Sequence, residues 1–446
     1  MSEMLSQLVD IVSTRYVSET ASLGQIHDWR GRSGGAVAAV VRPASSTQVS
    51  KIMQLATQER IPVQVQGGNT SLSGGSIPPQ SGTAPILMCL DRISGVRQTD
   101  SDIGQIIAGA GTPIAEVQRV AAEHGWYYGV DLAARDSATI GGTVATNAGG
   151  IRVCAYGSTR AQILGLDFVL PDGAVVMDRP GLIKDNTGYD FAGLLCGSEG
   201  TLAIVTQVRV KLWRPPMTAT TVALPVASLT EAAALAGSAA APGCTLLAAE
   251  VVDRVSWHAV SVAEGNPDPF AQSVDDFVLL LEVGDGGGGQ GLTNAVTDRP
   301  TLAVAADANQ RRSLWELREA QTTWWSRQPG KLYKLDVSIP PSQLDQIALE
   351  SNALSQRLGG QSGIFGHIRE GNLHIQIVVP GHEDPTSKLL ALVGDLGGSI
   401  SAEHGIGRDK VRFLNLRRST AEMAAMRAIK RSLDPQGLLN PGVLFD

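Results

Sequence analysis

Residues 136–150 read DSATIGGTVATNAGG, and this stretch decides the fold of the N-terminal half of the chain. Four of its fifteen residues are glycines, and most of the others are small or carry hydroxyl and amide groups. The backbone of such a segment is exposed, so its N–H groups can approach a ligand closely. The composition therefore predicts a loop that wraps a bound molecule.

A second run of the same character lies at residues 66–76, QGGNTSLSGGS, directly after the strand-like run at residues 61–65. One glycine-rich loop is weak evidence, because surface turns produce it freely. Two such loops predict opposite walls of one cofactor cleft, the alternative being a pair of solvated loops. Neither is a Walker loop, and neither has the G-x-G-x-x-G spacing of a nicotinamide-binding turn.

Charge and cysteine usage narrow the class of protein. The 446 residues include 36 basic and 43 acidic side chains, and the net charge of −7 disfavours general binding to nucleic acids or anionic membranes. The four cysteines have neither C-x-x-C nor iron–sulfur spacing, which favours a reduced, cytoplasmic protein. No secretory signal is evident at the N-terminus, and no apolar run reaches the ~18 residues of a membrane span.

Four segments in this order are similar to the flavin domain of the vanillyl-alcohol oxidase superfamily: residues 65–76, 136–157, 184–190 (KDNTGYD) and 197–205 (GSEGTLAIV). Within it, the chain resembles the D-2-hydroxyacid dehydrogenases, the branch that includes D-lactate, glycolate and D-2-hydroxyglutarate dehydrogenases. The likeness covers almost the whole chain. It implies an α+β fold, with a PCMH-type two-subdomain FAD-binding domain and an α+β substrate, or cap, domain built on an antiparallel sheet.

The domain boundaries follow from composition and from the resemblance. We expect an N-terminal helix and linker over residues 1–35, the FAD-binding domain over 36–216, and the substrate domain over 217–412. Residues 413–446 should form a C-terminal helix and tail that return to the FAD-binding domain. Inside the substrate domain, residues 284–291 are predicted to be a mobile glycine-rich loop, and residues 309–328 a single helix.

The resemblance implies FAD as the cofactor. Covalent members of the superfamily place a histidine in the first loop or a cysteine in the second, and neither loop contains one. We therefore expect non-covalent FAD. The residues that the resemblance places at the cofactor are Gly67, Gly68, Asn69, Thr70, Ser71, Gly74, Gly75, Ser76, Asp131, Ser137, Thr139, Gly141, Gly142, Ala145, Thr146, Asn147, Gly149, Gly150, Gly157, Glu199, Gly200, Ile204 and Asn440.

Histidines cluster in two short motifs of the second half. His367 and His374 lie seven residues apart in GHIREGNLHI, and Glu403 and His404 follow in SISAEHGIG. Two imidazoles and a carboxylate can form a metal site with open positions, although a lone histidine is more often structural. If residues 372–378 form a strand, His374 points to one face and His367 reaches it from the preceding loop. By resemblance, His367, His374 and Glu403 would bind a divalent metal, commonly zinc, and His404 would be the catalytic base.

Two departures from the family lie in the same motif. Relatives carry Gly-Asp where this chain has Arg369-Glu370, and asparagine where it has Gln376. The charged pair is consistent with a solvated loop tip, an internal salt bridge or an altered substrate contact. Metal occupancy and substrate identity depend on which of these holds.

The implied reaction removes a proton from a hydroxyl and a hydride from the adjacent carbon. A divalent metal makes a hydroxyl more acidic, as zinc lowers the pKa of water from ~16 to about 7. His404 could then accept the proton, and the hydride would pass to the flavin. Arg318 is the best candidate to bind the substrate carboxylate through two hydrogen bonds. Lys334 resembles a second family position, and Thr322 lies one helical turn from Arg318; ordinary surface roles are the alternative for each.

The expected substrate is a small D-2-hydroxy acid, either D-2-hydroxyglutarate or D-lactate. An electron-transfer flavoprotein, a quinone or a cytochrome would accept the electrons, and a homodimer is left open. Two other classes compete with this interpretation. One is a subunit of a glycolate-oxidising complex, and the other is a flavin-bearing transferase that exchanges an acyl for an alkyl group on a glycerone phosphate.

Overall fold

The computed structural model describes residues 3–178, 181–216, 218–240, 244–285, 296, 303–305 and 307–445. The chain forms two compact units. The first comprises Met1–Gly149, Tyr156–Pro215 and Glu403–Asp446, and the second comprises Gly150–Ala155 and Pro216–Ala402. The division after Pro215 lies one residue from the predicted boundary at residue 216. The second division falls after Ala402 rather than after residue 412, and residues 1–35 belong to the first unit.

Hydrogen bonds explain why the chain after Ala402 belongs to the first unit. The carboxylate of Glu199 accepts the backbone N–H groups of Ile406 and Gly407, at 2.7 and 2.8 Å. Arg408 is the next residue; it is half-buried, and its guanidinium donates to several oxygen acceptors. These acceptors are the carbonyls of Gly74, Ile77 and Pro441 and the side chain of Gln64.

The strands are β1 Val17–Ser18, β2 Ala39–Val41, β3 Val63–Gln66, β4 Ile86–Cys89, β5 Val96–Asp100, β6 Gln105–Gly109, β7 Ile163–Val169, β8 Val175–Asp178, β9 Ile204–Lys211, β10 Thr218–Val226, β11 Cys244–Asp253, β12 Phe277–Asp285, β13 Ala303–Val304, β14 Lys331–Ser338, β15 Gln361–His367 and β16 Asn372–Val379. The helices are α1 Glu3–Val12, α2 Leu23–Ile26, α3 Ser46–Glu59, α4 Ile114–Glu123, α5 Ile140–Thr146, α6 Val153–Tyr156, α7 Thr159–Gln162, α8 Phe191–Leu195, α9 Leu229–Ala239, α10 Arg254–Glu264, α11 Ala308–Glu319, α12 Gln321–Ser326, α13 Leu344–Arg357, α14 Thr386–Asp395 and α15 Thr420–Leu433.

The first unit contains a four-stranded sheet that delivers the first glycine-rich loop. Strand β4 pairs in parallel with β2 on one side and β3 on the other, and β1 pairs antiparallel with β2. Helix α3 (Ser46–Glu59) connects β2 to β3, and the Ser45 side chain caps it by accepting from the backbone N–H of Gln48. Because β3 (Val63–Gln66) ends at Gln66, the loop begins at the sheet edge.

A five-stranded antiparallel sheet, in the order β5-β6-β9-β7-β8, completes the first unit. The C-terminal helix α15 (Thr420–Leu433) begins with the predicted capping box between Ser419 and Glu422. Beyond it the chain returns to the first sheet, where Leu439 forms a parallel bridge with Val63. The backbone N–H of Val65 donates to Asn440 Oδ1 at 2.8 Å. The expected return of the tail is thus present within this unit.

The second unit is built on one seven-stranded antiparallel sheet, in the order β13-β10-β12-β11-β15-β16-β14. Apolar side chains of helices α10, α11 and α12 pack on one face against Val252, Leu280 and Phe365. The predicted single helix at residues 309–328 is wrong, because the chain forms two helices, Ala308–Glu319 and Gln321–Ser326, that meet at Ala320. The glycine-rich run at 284–291 lies outside the described residues except for its first two, which end β12.

Short 3-10 turns occur at Thr14–Tyr16, Pro341–Gln343, Ile368–Glu370 and Val411–Leu416. Among the helices that the structure describes, each is too short or too polar to cross a lipid bilayer.

Candidate active site

The two glycine-rich loops of the first unit lie directly against each other. A β-carbon added at Gly68 would fall 1.8 Å from the carbonyl oxygen of Ser137, and one added at Gly67 would fall 2.6 Å from Thr139 Oγ1. Only glycine permits so close an approach of the two backbones. The structure therefore brings together the two loops that the sequence singled out.

Local hydrogen bonds shape the second loop. Thr139 caps α5 by accepting the N–H of Gly142 at its hydroxyl, 3.2 Å away. The helix ends at Asn147, which adopts the left-handed conformation with φ of 51°. Asn147 Oδ1 accepts hydrogen bonds from the Ser158 hydroxyl at 2.9 Å and from the backbone N–H of Arg160 at 3.0 Å. This side chain thus fixes the segment that follows the loop.

Several predicted FAD-contact residues also hold the protein together. Asn69 Nδ2 donates to the carbonyls of Gly24 and His27, at 2.9 and 2.7 Å. Asn440 Nδ2 donates to the carbonyl of Glu199 at 2.7 Å. Burial raises the pKa of the Glu199 carboxyl, against the lowering effect of its N–H donors. The FAD contacts of these residues stay predictions. All predicted FAD-contact residues lie in the first unit except Gly150, which belongs to the second.

A row of polar side chains follows one face of the sheet in the second unit. Glu250 on β11 stands opposite His367 on β15. Phe365, two residues before His367, stands opposite His374 on β16, and His374 stands opposite Asp336 on β14. Residues that are opposite across strands, or two apart along one, share a face. His367 is the last residue of β15, so the prediction that it reaches this face from a loop is wrong, whereas the predicted strand at 372–378 is confirmed.

Each of the two histidines has a carboxylate next to its Nδ1 atom. The imidazole centroids of His367 and His374 are 5.4 Å apart, with the rings nearly perpendicular. His367 Nδ1 lies 2.5 Å from Glu250 Oε1, and His374 Nδ1 lies 3.7 Å from Asp336 Oδ1. Asp336 is itself held by the side-chain amide of Asn372, which donates to Oδ1 at 2.9 Å. Carboxylates beside histidines are the usual outer partners of metal-binding imidazoles.

Glu250 also binds Arg318. The guanidinium Nε and Nη2 atoms both lie 2.7 Å from Glu250 Oε2, and the carboxylate is fully buried. Burial alone would raise the pKa of Glu250, but the charges of His367 and Arg318 and their hydrogen bonds hold it below its ordinary value. The Nε side of the Arg318 guanidinium is therefore engaged inside the protein and is not available to a substrate carboxylate. The arginine also stacks over the Phe365 ring, 4.7 Å from its centroid.

Glu403 and His404 begin the last segment of the first unit. Within that unit, the backbone carbonyl of His404 accepts a hydrogen bond from the Ser73 hydroxyl at 2.9 Å. In the second unit, the N–H of Ala402, the residue before Glu403, donates to Asp336 Oδ2 at 3.1 Å. The residue directly before Glu403 is therefore hydrogen-bonded to the Asp336 carboxylate.

Two buried amide oxygens flank His374 on the same face. Asn372 Oδ1 and Gln376 Oε1 have no hydrogen-bond partner in the part of the chain that the structure describes. Buried polar atoms are normally paired, so these two oxygens fit a ligand that supplies a donor or a cation. Lys334 stands opposite Gln376 across β14 and β16. Thr322 lies on α12, in a different helix from Arg318.

The two residues of the Arg369-Glu370 pair differ in their exposure to solvent. Arg369 is exposed, whereas Glu370 is half-buried. Burial raises the pKa of Glu370 to about 7, the positive charge of His367 opposes this shift, and the negative charge of Glu250 adds to it. The acidic member of the pair is therefore half-buried and subject to the charges of His367 and Glu250.

Sequence reasoning missed Glu250 and Asp336. Both are acidic residues flanked by apolar neighbours within a strand, in LLAAEVV at residues 246–252 and in LDV at 335–337. An isolated charge in a buried strand needs a partner, because burying it unpaired is costly. That signal could have identified both residues, but not the histidines with which they pair.

Known proteins match the chain over almost its whole length. Residues 37–178 match the family described as FAD binding domain, and residues 215–444 match FAD linked oxidases, C-terminal domain. The D-2-hydroxyglutarate dehydrogenase of Xanthomonas citri pv. viticola is 33% identical, covering 99% of this chain and 97% of the relative. The mitochondrial D-2-hydroxyglutarate dehydrogenase of Bos taurus is 32% identical, covering 98% of this chain and 82% of the relative.

The likeness extends to solved structures. The structure of p-cresol methylhydroxylase with substrate bound superimposes with a TM-score of 0.76 at 14% identity, covering 99% of this chain and 96% of that one. At this identity the likeness shows the fold alone. It confirms the predicted PCMH-type architecture, which takes its name from that enzyme.

Proposed function

The chain belongs to the family of FAD-linked oxidases, and from that premise we propose that this FAD-dependent oxidoreductase converts a D-2-hydroxy acid to the 2-oxo acid. D-2-hydroxyglutarate is the first candidate, because the relatives at 32–33% identity carry that name, and D-lactate is the second. The observation that carries the proposal is a pair of imidazoles, His367 and His374, that each have a carboxylate beside Nδ1. The carboxylate beside His367, that of Glu250, also binds Arg318.

The donor set fits a divalent metal. A carboxylate at Nδ1 leaves Nε2 as the coordinating atom of an imidazole, and such pairs orient most metal-binding histidines. The unpartnered amide oxygens of Asn372 and Gln376 flank His374 and fit a cation or a hydroxyl donor. We assign His367, His374 and Glu403 as ligands and zinc as the metal. When bound, the metal lowers the pKa of the substrate hydroxyl.

Residues of this chain handle the proton and the carboxylates. His404 accepts the hydroxyl proton, a general-base contribution of roughly 10² to 10⁴ in rate. Lys334 and Arg318 neutralise substrate carboxylate groups, and Thr322 supplies a hydroxyl. FAD, which the two glycine-rich loops would hold, would supply the acceptor for the hydride from C2 of the substrate, and an electron-transfer flavoprotein, a quinone or a cytochrome would take the electrons.

The test is an anaerobic screen for flavin bleaching. Purified protein is mixed with the D and L forms of 2-hydroxyglutarate and lactate and with glycolate, and flavin absorbance is followed. We expect bleaching by at least one D-2-hydroxy acid and not by its L form, with loss of bleaching after chelation and recovery when zinc is added. If every D-2-hydroxy acid leaves the flavin oxidised, the proposed reaction is wrong.

Replacing His404 tests the proposed base. The His404→Ala variant should bind FAD normally but bleach at least about 10²-fold more slowly, because no side chain accepts the proton. His382→Ala is the matched control, since His382 is exposed and lies outside the site. Normal bleaching by His404→Ala would remove His404 from the mechanism.

The same assays separate the two competing classes. A transferase acting on a glycerone phosphate would show no net electron transfer to an artificial dye. A subunit that works only inside a glycolate-oxidising complex would be inactive when purified alone. Turnover of a D-2-hydroxy acid with a dye by the isolated chain would exclude both.

A further inference from the structure

Glu250 lies outside the sequence motifs, and the proposed reaction gives it no chemical step. It lies on β11, opposite His367 on β15, and its side chain is fully buried. Its two carboxylate oxygens bind different residues: Oε1 faces His367 Nδ1 at 2.5 Å, whereas Oε2 accepts a hydrogen bond from Arg318 Nε at 2.7 Å and lies 2.7 Å from Arg318 Nη2 in an ion pair. We propose that Glu250 is a positioning residue that holds the metal-binding imidazole of His367 and the substrate-binding guanidinium of Arg318 in one fixed arrangement.

The first consequence concerns the tautomer of His367. An ionised carboxylate can only accept hydrogen bonds, so the proton that joins it to His367 must sit on Nδ1. The lone pair of the ring is then on Nε2, the atom that can coordinate a metal. Glu250 thus selects the coordinating nitrogen and fixes the plane of the ring.

The second consequence concerns Arg318. Its Nε edge is engaged by Glu250, and its guanidinium carbon lies over the ring of Phe365, whose centroid is 5.2 Å from that of His374. A guanidinium held on one edge and one face has little freedom to rotate. Its remaining donors, on Nη1 and the second hydrogen of Nη2, therefore point in a direction that Glu250 and Phe365 set.

Linking the two groups matters for a 2-hydroxy acid, because the hydroxyl and the carboxylate sit on adjacent carbons. A metal that takes the hydroxyl and a cation that takes the carboxylate must keep a constant separation. Misplacement by about 1 Å can cost roughly 10²-fold in rate. The carboxylate of Glu250 binds both His367 and Arg318 and therefore keeps the distance between them constant. This inference rests on the proposed function.

The test compares zinc binding by the FAD-containing full-length protein and its variants. Zinc is titrated into metal-free protein against a chromophoric chelator. Glu250→Gln should bind zinc about 10- to 100-fold more weakly, the usual effect of losing such a partner. Glu282→Gln is the matched control, because Glu282 is also buried on this face but pairs with Arg152 instead. Its zinc affinity should stay within about twofold of the parent, by the same reasoning.

A kinetic measurement separates positioning from a general loss of structure. With zinc saturating, Glu250→Gln should keep its FAD content and show a KM for D-2-hydroxyglutarate raised about tenfold, because Arg318 is no longer held. A His367→Ala variant identifies the metal site itself. If His367→Ala weakens zinc binding while Glu250→Gln binds like the parent, the positioning role is overturned and the proposed function stands. If His367→Ala binds zinc like the parent, the metal assignment fails and the inference falls with it.

A measurement on the parent protein covers the case in which Glu250→Gln does not fold. Nitrogen-15 spectra of histidine-labelled, zinc-loaded protein report which ring nitrogen carries hydrogen. His367, assigned by its replacement with alanine, should be protonated at Nδ1 and coordinated at Nε2. Coordination at Nδ1 would show that Glu250 does not set the tautomer.

Discussion

A β-carbon on Gly68 would lie 1.8 Å from the carbonyl oxygen of Ser137, so the two glycine-rich loops of the first unit are in backbone contact. The two residues are far apart in sequence, and both loops lie within residues 37–178, the region that matches the FAD binding domain family. The loops can lie this close because Gly68 has no side chain.

Substituting Gly68 should disrupt cofactor binding. In Gly68→Ala the added methyl group forces the loops apart, and we expect FAD affinity to fall by at least tenfold, since even about 1.4 kcal/mol of misfit has that effect. Gly24→Ala is the matched control, because a β-carbon at Gly24 meets no atom within 4 Å. The measurement is FAD content after gel filtration together with titration of the apoprotein. Retention of full FAD content by Gly68→Ala would contradict the loop contact.

The flavin should be released when the protein is denatured in acid. Two cysteines contact the glycine-rich loops: the Cys89 thiol donates to Gln66 Oε1 at 3.7 Å, and the Cys196 thiol donates to Asn147 Oδ1 at 3.5 Å. Burial raises their pKa to about 12 and about 11, so neither is a thiolate that could attack the flavin at neutral pH. Absorbance of the supernatant should therefore account for all FAD, and a yellow pellet would show a covalent bond.

Removing the Glu370 carboxyl should stabilise the protein at neutral and alkaline pH. The pKa of Glu370 is about 7 in the folded chain, above its ordinary value of 4.5. The folded state therefore holds the proton more tightly, and stability falls as pH rises from 4.5 to about 7. Above pH 7 the charged carboxyl costs up to about 3 kcal/mol, which Glu370→Gln avoids.

The measurement is the melting midpoint of metal-free Glu370→Gln and parent protein between pH 5 and 8.5. As pH rises towards 7, the melting midpoint of the variant should rise above that of the parent by a few degrees, the shift expected for a chain of this size. Glu264→Gln, which alters an exposed carboxylate, should follow the parent across the range. Parallel profiles for Glu370→Gln and the parent would show that Glu370 titrates normally.

The sequence alone determined the parts of this protein that depend on local chemistry. The glycines of the two loops, the strand that carries His374 and the capping box of Ser419 and Glu422 could all be identified from residue type and spacing. The family likeness added the order of the domains. These features are local, since each depends on residues a few positions apart.

The tertiary structure alone decided which distant residues meet. Glu250 and His367 are separated by 117 positions and became partners because β11 and β15 are neighbours in a seven-stranded sheet. The period of two along a strand tells which residues share a face, but strand order and register arise from packing of the whole unit. For the same reason, the sequence could predict Arg318 only as a cation for the substrate. The fold shows that one edge of its guanidinium binds the buried carboxylate of Glu250.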